Sequence, residues 1–159
     1  MPLIESIETP AIKVLKDSQI PFQVFQHLNK ISSLQQAAEE RGQEPDQIIR
    51  SILFRLSSDL YVMVLMAGDR QISWKALRTY LGERRISLAS PQEVLDQTGY
   101  EIGAVTPIGL SHPMRIIADP GVFAYPQISM GSGQKGYAII IGSNLLSTII
   151  HDLEISALS

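Results

Sequence analysis

Cysteine is absent from the 159-residue chain, which excludes disulfide frameworks, thiolate metal sites, iron–sulfur clusters and cysteine nucleophiles. Charge is also sparse, at 18% of residues against a usual share of about 25%. With 45% apolar residues, that balance rules out a disordered chain or a coiled coil and points to a well-buried globule. No repeat, low-complexity tract or Pro/Gly/Ser linker interrupts residues 1–159, so a single domain is expected. The uncharged run Leu60–Gly68 falls far short of the ~20 apolar residues that cross a bilayer. Met1–Glu5 carries no positive n-region of a signal peptide, so the expectation is a cytoplasmic protein without membrane contact.

Net charge is −3, which argues against indiscriminate coating of nucleic acid. The distribution is uneven. Arg70, Lys75, Arg78, Arg84 and Arg85 face a single acid, Glu83, within 70–85. Such a stretch is either a solvated helix face or a surface that docks phosphates.

Periodicity and punctuation predict an α/β chain richer in strands than helices. Thr9-Pro10 opens a helix ending near Asp17-Ser18, and Phe22–Gln26 alternates as a strand. Ser33 caps a second helix that Gly42 ends, and Pro45 starts a short helical turn with Ile48 and Ile49 inward, leading into a strand through Ile52–Phe54. Tyr61–Met66 is almost continuously apolar, as in a central strand covered on both faces. Ser73 caps a helix over Trp74–Leu81, ended by Gly82, and a short strand follows at Ile86–Leu88. Ser90-Pro91-Gln92-Glu93 is a capping box with proline at the first helical position, and Gly99 closes that helix. Strands are expected at Arg115–Ala118, Gln127–Met130 and Tyr137–Ile141, with Ser143 capping a last helix to about Ile150. Several strand neighbours are joined by short loops. A curved mixed, partly antiparallel sheet or partial barrel flanked by helices therefore fits better than strict βαβ alternation.

Two glycine-bearing stretches stand out. Residues 99–113 hold Gly99, Gly103, Pro107, Gly109 and Pro113, and an irregular loop of that length in a compact chain tends to be functional. Gly131-Ser132-Gly133-Gln134-Lys135-Gly136 matches G-x-G-x-x-G, but a dinucleotide fold needs a helix after it, and the β-branched run from Tyr137 reads as a strand. A hairpin tip with exposed amide groups is expected instead, able to cradle an anion or developing oxyanion, or simply to turn the chain. No G-x-S-x-G is present, and His27, His112 and His151 lack metal-ligand spacing, so no metal site is expected. His151 reads as a dipole cap and His27 as the end of a strand.

Four segments in order resemble the YbaK/ProX family of aminoacyl-tRNA deacylases, the module also inserted in bacterial prolyl-tRNA synthetases. They are Thr9-Pro10-Ala11-Ile12-Lys13-Val14-Leu15, Pro45-Asp46-Gln47-Ile48-Ile49-Arg50-Ser51-Ile52, Thr98-Gly99-Tyr100 with Gly103–Gly109, and Ser129-Met130-Gly131 with Lys135-Gly136. The resemblance implies a curved mixed sheet around a small pocket. The 3′-terminal adenosine of an aminoacylated tRNA would enter it, and the ester to a wrong, small amino acid would be hydrolysed in trans. It implies no metal or organic cofactor, and a synthetase as a possible partner. Backbone amides of the two glycine-bearing loops would hold the ester, while water or a substrate group attacks.

On that resemblance Arg50 is the electrostatic anchor, where the family has lysine, and Gly103 and Pro107 shape the wall. Gly131 and Gly133 supply backbone donors, and His27, Ser51 and Ser129 supply polar contacts at the rim. His27 stands where some relatives carry tyrosine, and Ala138 where some carry aspartate. The alternative is a catalytically degenerate relative that captures a tRNA end, a nucleotide or a synthetase without chemistry.

Overall fold

The computed structural model describes residues 7–159. Helices α1 (Pro10–Asp17), α2 (Leu34–Arg41), α3 (Trp74–Leu81) and α4 (Pro91–Thr98) start where the sequence predicts. The hydroxyls of Thr9, Ser33, Ser73 and Ser90 each accept the amide N–H three residues on, satisfying a donor the helix itself cannot. Glu93 completes the α4 capping box by accepting the Ser90 N–H at 2.9 Å.

The strands are β1 (Gln23–Gln26), β2 (Ile49–Leu56), β3 (Tyr61–Ala67), β4 (Ile86–Leu88), β5 (Arg115–Ala118), β6 (Gln127–Gly131), β7 (Tyr137–Gly142) and β8 (Glu154–Ile155). They form two sheets. One has the order β1-β7-β6 and is wholly antiparallel. The other runs β4-β2-β3-β5-β8, antiparallel through β4, β2 and β3 and parallel from β3 to β8. A parallel bridge between Ile48 and Ser129 joins them, and the Gln47 side chain donates to the Gln127 carbonyl at 2.9 Å beside it. The mixed, partly antiparallel sheet expected from the sequence is thus present, split in two and stitched at the start of β2.

β3 is the middle strand of the larger sheet and is covered on both faces. Met63 and Leu65 join the main core with Leu53, Val24, Ile128, Met130 and Ile139, under Ala11, Ile12 and Leu15 of α1. Val62, Val64 and Met66 face the other way, onto Phe54, Leu77 of α3 and Leu158. The continuous apolar run follows from this double burial, since neither face of the strand has water to meet. Ile48 and Ile49 are buried, as expected.

Three features depart from expectation. Ser143 does not cap the last helix: its hydroxyl donates to the Tyr125 carbonyl at 2.6 Å, and residues Ser143–Leu145 form a 3-10 turn before α5 (Leu146–Ile149). The short strand β8 has no clear sequence pattern, and the 3-10 turn Pro120–Phe123, which opens on an Asp119-Pro120 cap, is not among the expected elements. Both depend on the buried Asp119 region, where the carboxylate accepts the Gly121 and Leu158 N–H groups, each at 2.9 Å. Among the described residues no helix is long and apolar enough to cross a membrane.

Glu93 also ties α4 to the sheet, accepting the Tyr61 hydroxyl at 2.6 Å and lying 3.2 Å from Arg55. The Ser90 amide, then the Tyr61 hydroxyl, hold its carboxyl down from 4.5 to about 2. A lowered folded-state value stabilises the fold fully above the unfolded value, and that contribution is lost as pH falls from 4.5 towards about 2. Glu93→Gln should therefore lower Tm near neutrality and flatten its fall across this acid window, read by thermal melts as a function of pH. An acid limb identical to that of the parent would contradict this role.

Candidate active site

A cavity of about 520 Å3 opens between the start of β2, the end of α2 and the two glycine-bearing loops. Ile49, Ile52, Leu53, Val94, Ile102 and Met130 give it a largely aliphatic lining, into which His27, Arg41, Arg50 and Ser51 bring polar groups. That volume and mixture suit a small organic ligand held by a few fixed polar contacts.

The two glycine-bearing loops meet at one edge of the cavity. The Gly133 N–H donates to the Ala104 carbonyl at 2.9 Å, and Lys135 pairs with Glu101 at 3.2 Å. At Gly131 the approach is closer still: a Cβ there would overlap the Val105 carbonyl oxygen and lie 2.9 Å from that of Ala104. No side chain fits between these backbones. Gly103 has φ +94°, a left-handed value that turns the chain at the cavity wall. Gly103 and Val105 both line the cavity, and their N–H groups have no protein acceptor among the described residues.

Tyr100 holds the longer loop in shape. Its hydroxyl donates to the Ile108 carbonyl at 2.7 Å across the loop, while its ring lies against Gly133 and burial pushes its pKa up to about 12. Thr9, besides capping α1, donates to the Ser132 carbonyl at 2.6 Å and pins the hairpin tip from behind. Ser132 and Lys135 have Ser-x-x-Lys spacing but do not form a nucleophile–base pair. The buried Ser132 hydroxyl is turned to the Gln134 and Tyr137 carbonyls at 3.0 and 2.9 Å, and Lys135 is occupied by Glu101.

A polar chain crosses the opposite wall. The His27 Nε2 atom receives the Arg41 Nε–H at 3.0 Å, and Nδ1 lies 3.0 Å from a Glu40 carboxylate oxygen. Arg41 can only donate, so Nε2 must be the unprotonated nitrogen and Nδ1 carries the proton towards Glu40. Arg41 Nη1 donates to Ser129 Oγ at 2.9 Å, and that hydroxyl donates to Gln43 Oε1 at 2.7 Å. Desolvation draws the Arg41 pKa down to about 10, so it remains a cation at neutral pH. Hydrogen bonds from His27 and then Gln36 lower the Glu40 pKa.

Five of the eight expected site residues meet at the cavity: His27, Arg50, Ser51, Gly103 and Gly131. Three do not line it. Pro107 is buried within its loop, Gly133 packs on the Tyr100 ring, and Ser129 lies behind the His27–Arg41 wall. The Arg50 guanidinium is partly committed, donating from Nε to the Gly68 carbonyl at 2.6 Å and from Nη2 to the Arg70 carbonyl. Burial lowers its pKa, opposed by Asp69. Ser51 is the reverse case: its buried hydroxyl has no hydrogen-bond partner among the described residues.

Arg41 and Glu40 are contributors that sequence reasoning does not single out, and Tyr100 enters it only within the Thr98-Gly99-Tyr100 resemblance, without a role. A basic residue in the last turn of a helix before glycine reads as a dipole complement, and nothing in the local pattern shows it turned inward. Among the described residues no group of three or more His, Asp or Glu could hold a metal ion.

The family model of the aminoacyl-tRNA editing domain matches residues 29–148. The proline–tRNA ligase of Thermosipho melanesiensis is 32% identical over 114 residues, covering 72% of this chain and 20% of the ligase. The chain thus spans about a fifth of the length of that curated relative. The uncharacterized protein YwhH of Bacillus subtilis is 34% identical over 116 residues, 73% of each chain. A crystal structure described as a proposed trans-editing enzyme for prolyl tRNA synthetase superposes with a TM-score of 0.85 at 21% identity, over 97% of this chain and 99% of that one. At that identity the likeness establishes the shared fold.

The close approach at Gly131 has a measurable consequence. Gly131→Ala forces a methyl group against two carbonyl oxygens of the facing backbone and should cost about 1–3 kcal/mol. Urea denaturation measures it, and an unchanged midpoint would show that the two loops are not in register as described.

Proposed function

The chain belongs to the aminoacyl-tRNA editing domain family, and from that premise we propose that it hydrolyses the ester of tRNA mischarged with a small amino acid, acting in trans. The observation that carries the reading is the cavity edge. Backbone N–H groups of Gly103 and Val105, free of protein acceptors among the described residues, border an aliphatic space with cationic groups at its wall.

Hydrolysis of an ester develops negative charge on the carbonyl oxygen as water attacks the carbon. The bond to the ribose oxygen then breaks, releasing the amino acid and the terminal hydroxyl. Preorganised donors aimed at that oxygen lower the barrier without a protein nucleophile, and loss of one such donor costs on the order of 100-fold or more. In this reading Gly103, Gly131 and their neighbours hold the ester, and the uncommitted N–H groups of Arg50 stabilise phosphate or oxyanion. Arg50 cannot serve as a general base, because its guanidinium stays protonated. His27 is held between Glu40 and Arg41, so its role in this reading is to orient Arg41 beside the substrate. The unpartnered Ser51 hydroxyl is available for a substrate polar group.

A second reading, capture of a tRNA end without hydrolysis, draws on the Arg50 guanidinium being tied to the 68–70 turn. The two part in one experiment, in which the protein is incubated with tRNAs mischarged with different amino acids and ester loss is followed. Accelerated loss on at least one small amino acid is expected. Protection of the ester would favour capture, and no acceleration on any substrate would overturn the hydrolase reading.

Two substitutions refine the site. Arg50→Ala should lower kcat/KM by about 100-fold, while Arg50→Lys keeps the charge and most of the rate. Ser51→Ala removes a buried hydroxyl that gains nothing from the protein, so stability should hold or rise, by at most about 1–3 kcal/mol, while KM increases. An unchanged KM would remove Ser51 from the site.

A further inference from the structure

A second concavity, of about 540 Å3, lies at the far end of β2. It is lined by Arg55, Arg78, Arg84 and Arg85, with Ser57, Asp59 and Ser87 between them. Arg78 comes from the last turn of α3, while Arg84 and Arg85 come from the link into β4. Arg55 is paired with Glu93 at 3.2 Å. Arg78, Arg84 and Arg85 have no carboxylate within ion-pair distance among the described residues. Glu83 sits within the same stretch but turns to Ser57, accepting its N–H at 3.1 Å and its hydroxyl at 2.7 Å.

Three guanidiniums without a direct ion pair converge on one cleft and repel one another, and the acids nearest to them, Asp59 in the lining and Glu83 on Ser57, offset that repulsion only in part. The arrangement is instead complementary to a chain of phosphates, which guanidinium forks bind in a bidentate manner. The chain as a whole carries net charge −3, so the cleft is a local attractive field on a protein that otherwise repels polyanions.

Position adds a second argument. Along β2, Leu53 lines the aliphatic cavity and Arg55 lines the cleft. Along the edge strand, Leu88 and Ala89 line the cavity while Ile86 and Ser87 line the cleft. Two residues of strand, about 7 Å, separate the two spaces. A nucleic-acid strand carries one phosphate per about 3.4 Å of axis, so that distance corresponds to about two phosphates.

We propose that this arginine cleft docks the phosphate backbone of the RNA strand whose terminus enters the cavity, a proposal that rests on the editing reading above. Arg78, Arg84 and Arg85 bind phosphate without reading sequence, and they set the register that delivers the terminal ester to the cavity.

The test measures binding and chemistry separately. Fluorescence anisotropy with a deacylated tRNA transcript, at salt concentrations from low to physiological, compares the parent with Arg78→Ala/Arg84→Ala/Arg85→Ala and with the corresponding triple lysine variant. The triple alanine variant should bind at least ~10-fold more weakly at low salt and lose about 0.7–0.9 of the log–log salt slope for each contact removed. The lysine variant should recover most of the affinity, which shows that charge rather than folding is at stake. Hydrolysis of a short aminoacyl-adenosine ester should be unchanged in the alanine variant. Parental affinity and salt slope in that variant would overturn the proposal, as would an equal loss on the short ester. If no ester is hydrolysed by any form while the alanine variant still loses tRNA binding, the editing reading falls and the docking cleft stands.

Discussion

The cavity depends on two backbones that touch because the hairpin has no side chain at Gly131 and Gly133. The Gly133 N–H bond to the Ala104 carbonyl, with Gly131 pressed against Val105, welds the 99–109 loop to the β6–β7 hairpin. Amide–carbonyl contact at that range leaves no freedom for either loop to drift, so the groups bordering the cavity are held before any ligand arrives. Tyr100 and Thr9 extend the same constraint, the first by closing its own loop and the second by fastening the hairpin tip to the start of α1. A site that works by positioning requires this stiffness, because its donors gain their advantage from not having to reorganise.

The opposite wall is rigid for a different reason. Charged and polar groups there are partly or fully buried and bonded in series, from Gln36 and Glu40 through His27 and Arg41 to Ser129 and the Gln43 side-chain carbonyl oxygen, with the Gln43 amide nitrogen left without a partner among the described residues. Removing any member strands a neighbour in a medium where an unpaired polar group is costly. This series of bonds links α2 to the smaller sheet and fixes the Arg41 cation at the cavity. Arg50 supplies the other cation from β2, and its bonds to the Gly68 and Arg70 carbonyls tie the start of the larger sheet to the turn after β3. The cavity is therefore bordered by neutral backbone donors on one side and by two immobilised guanidiniums on the other.

Much of this was legible in advance where the chemistry is local. The four hydroxyl caps, the capping box of Ser90 and Glu93, and the glycines that end α2, α3 and α4 are set by residues within a turn of one another, and each lies where the sequence places it. The strand after Gly136 was equally legible from its β-branched run, and with it the rejection of a dinucleotide fold. Ser143 shows where local reasoning fails: a serine before an apolar run looks like a cap, but a carbonyl from a distant turn at Tyr125 took its hydroxyl. Ser129, Gly133 and Pro107 fell in motifs that do border the cavity, yet the strand pleat and loop packing turned them away from it.

The sequence alone determined the element types, the central position of β3, the pairing of two glycine-bearing stretches as the centre of interest, and the lack of a cysteine nucleophile. These follow from composition, periodicity and residues a few positions apart, where the physics is that of a short peptide. The tertiary structure alone decided which side chains face the cavity, that Arg41 joins it, that Ser51 is left unpartnered and that three arginines converge on one cleft without a direct ion pair. Those outcomes depend on which surfaces meet after the sheets close on each other, and contacts between residues as far apart as Arg41 and Ser129 are set by that closure rather than by anything near them in the chain.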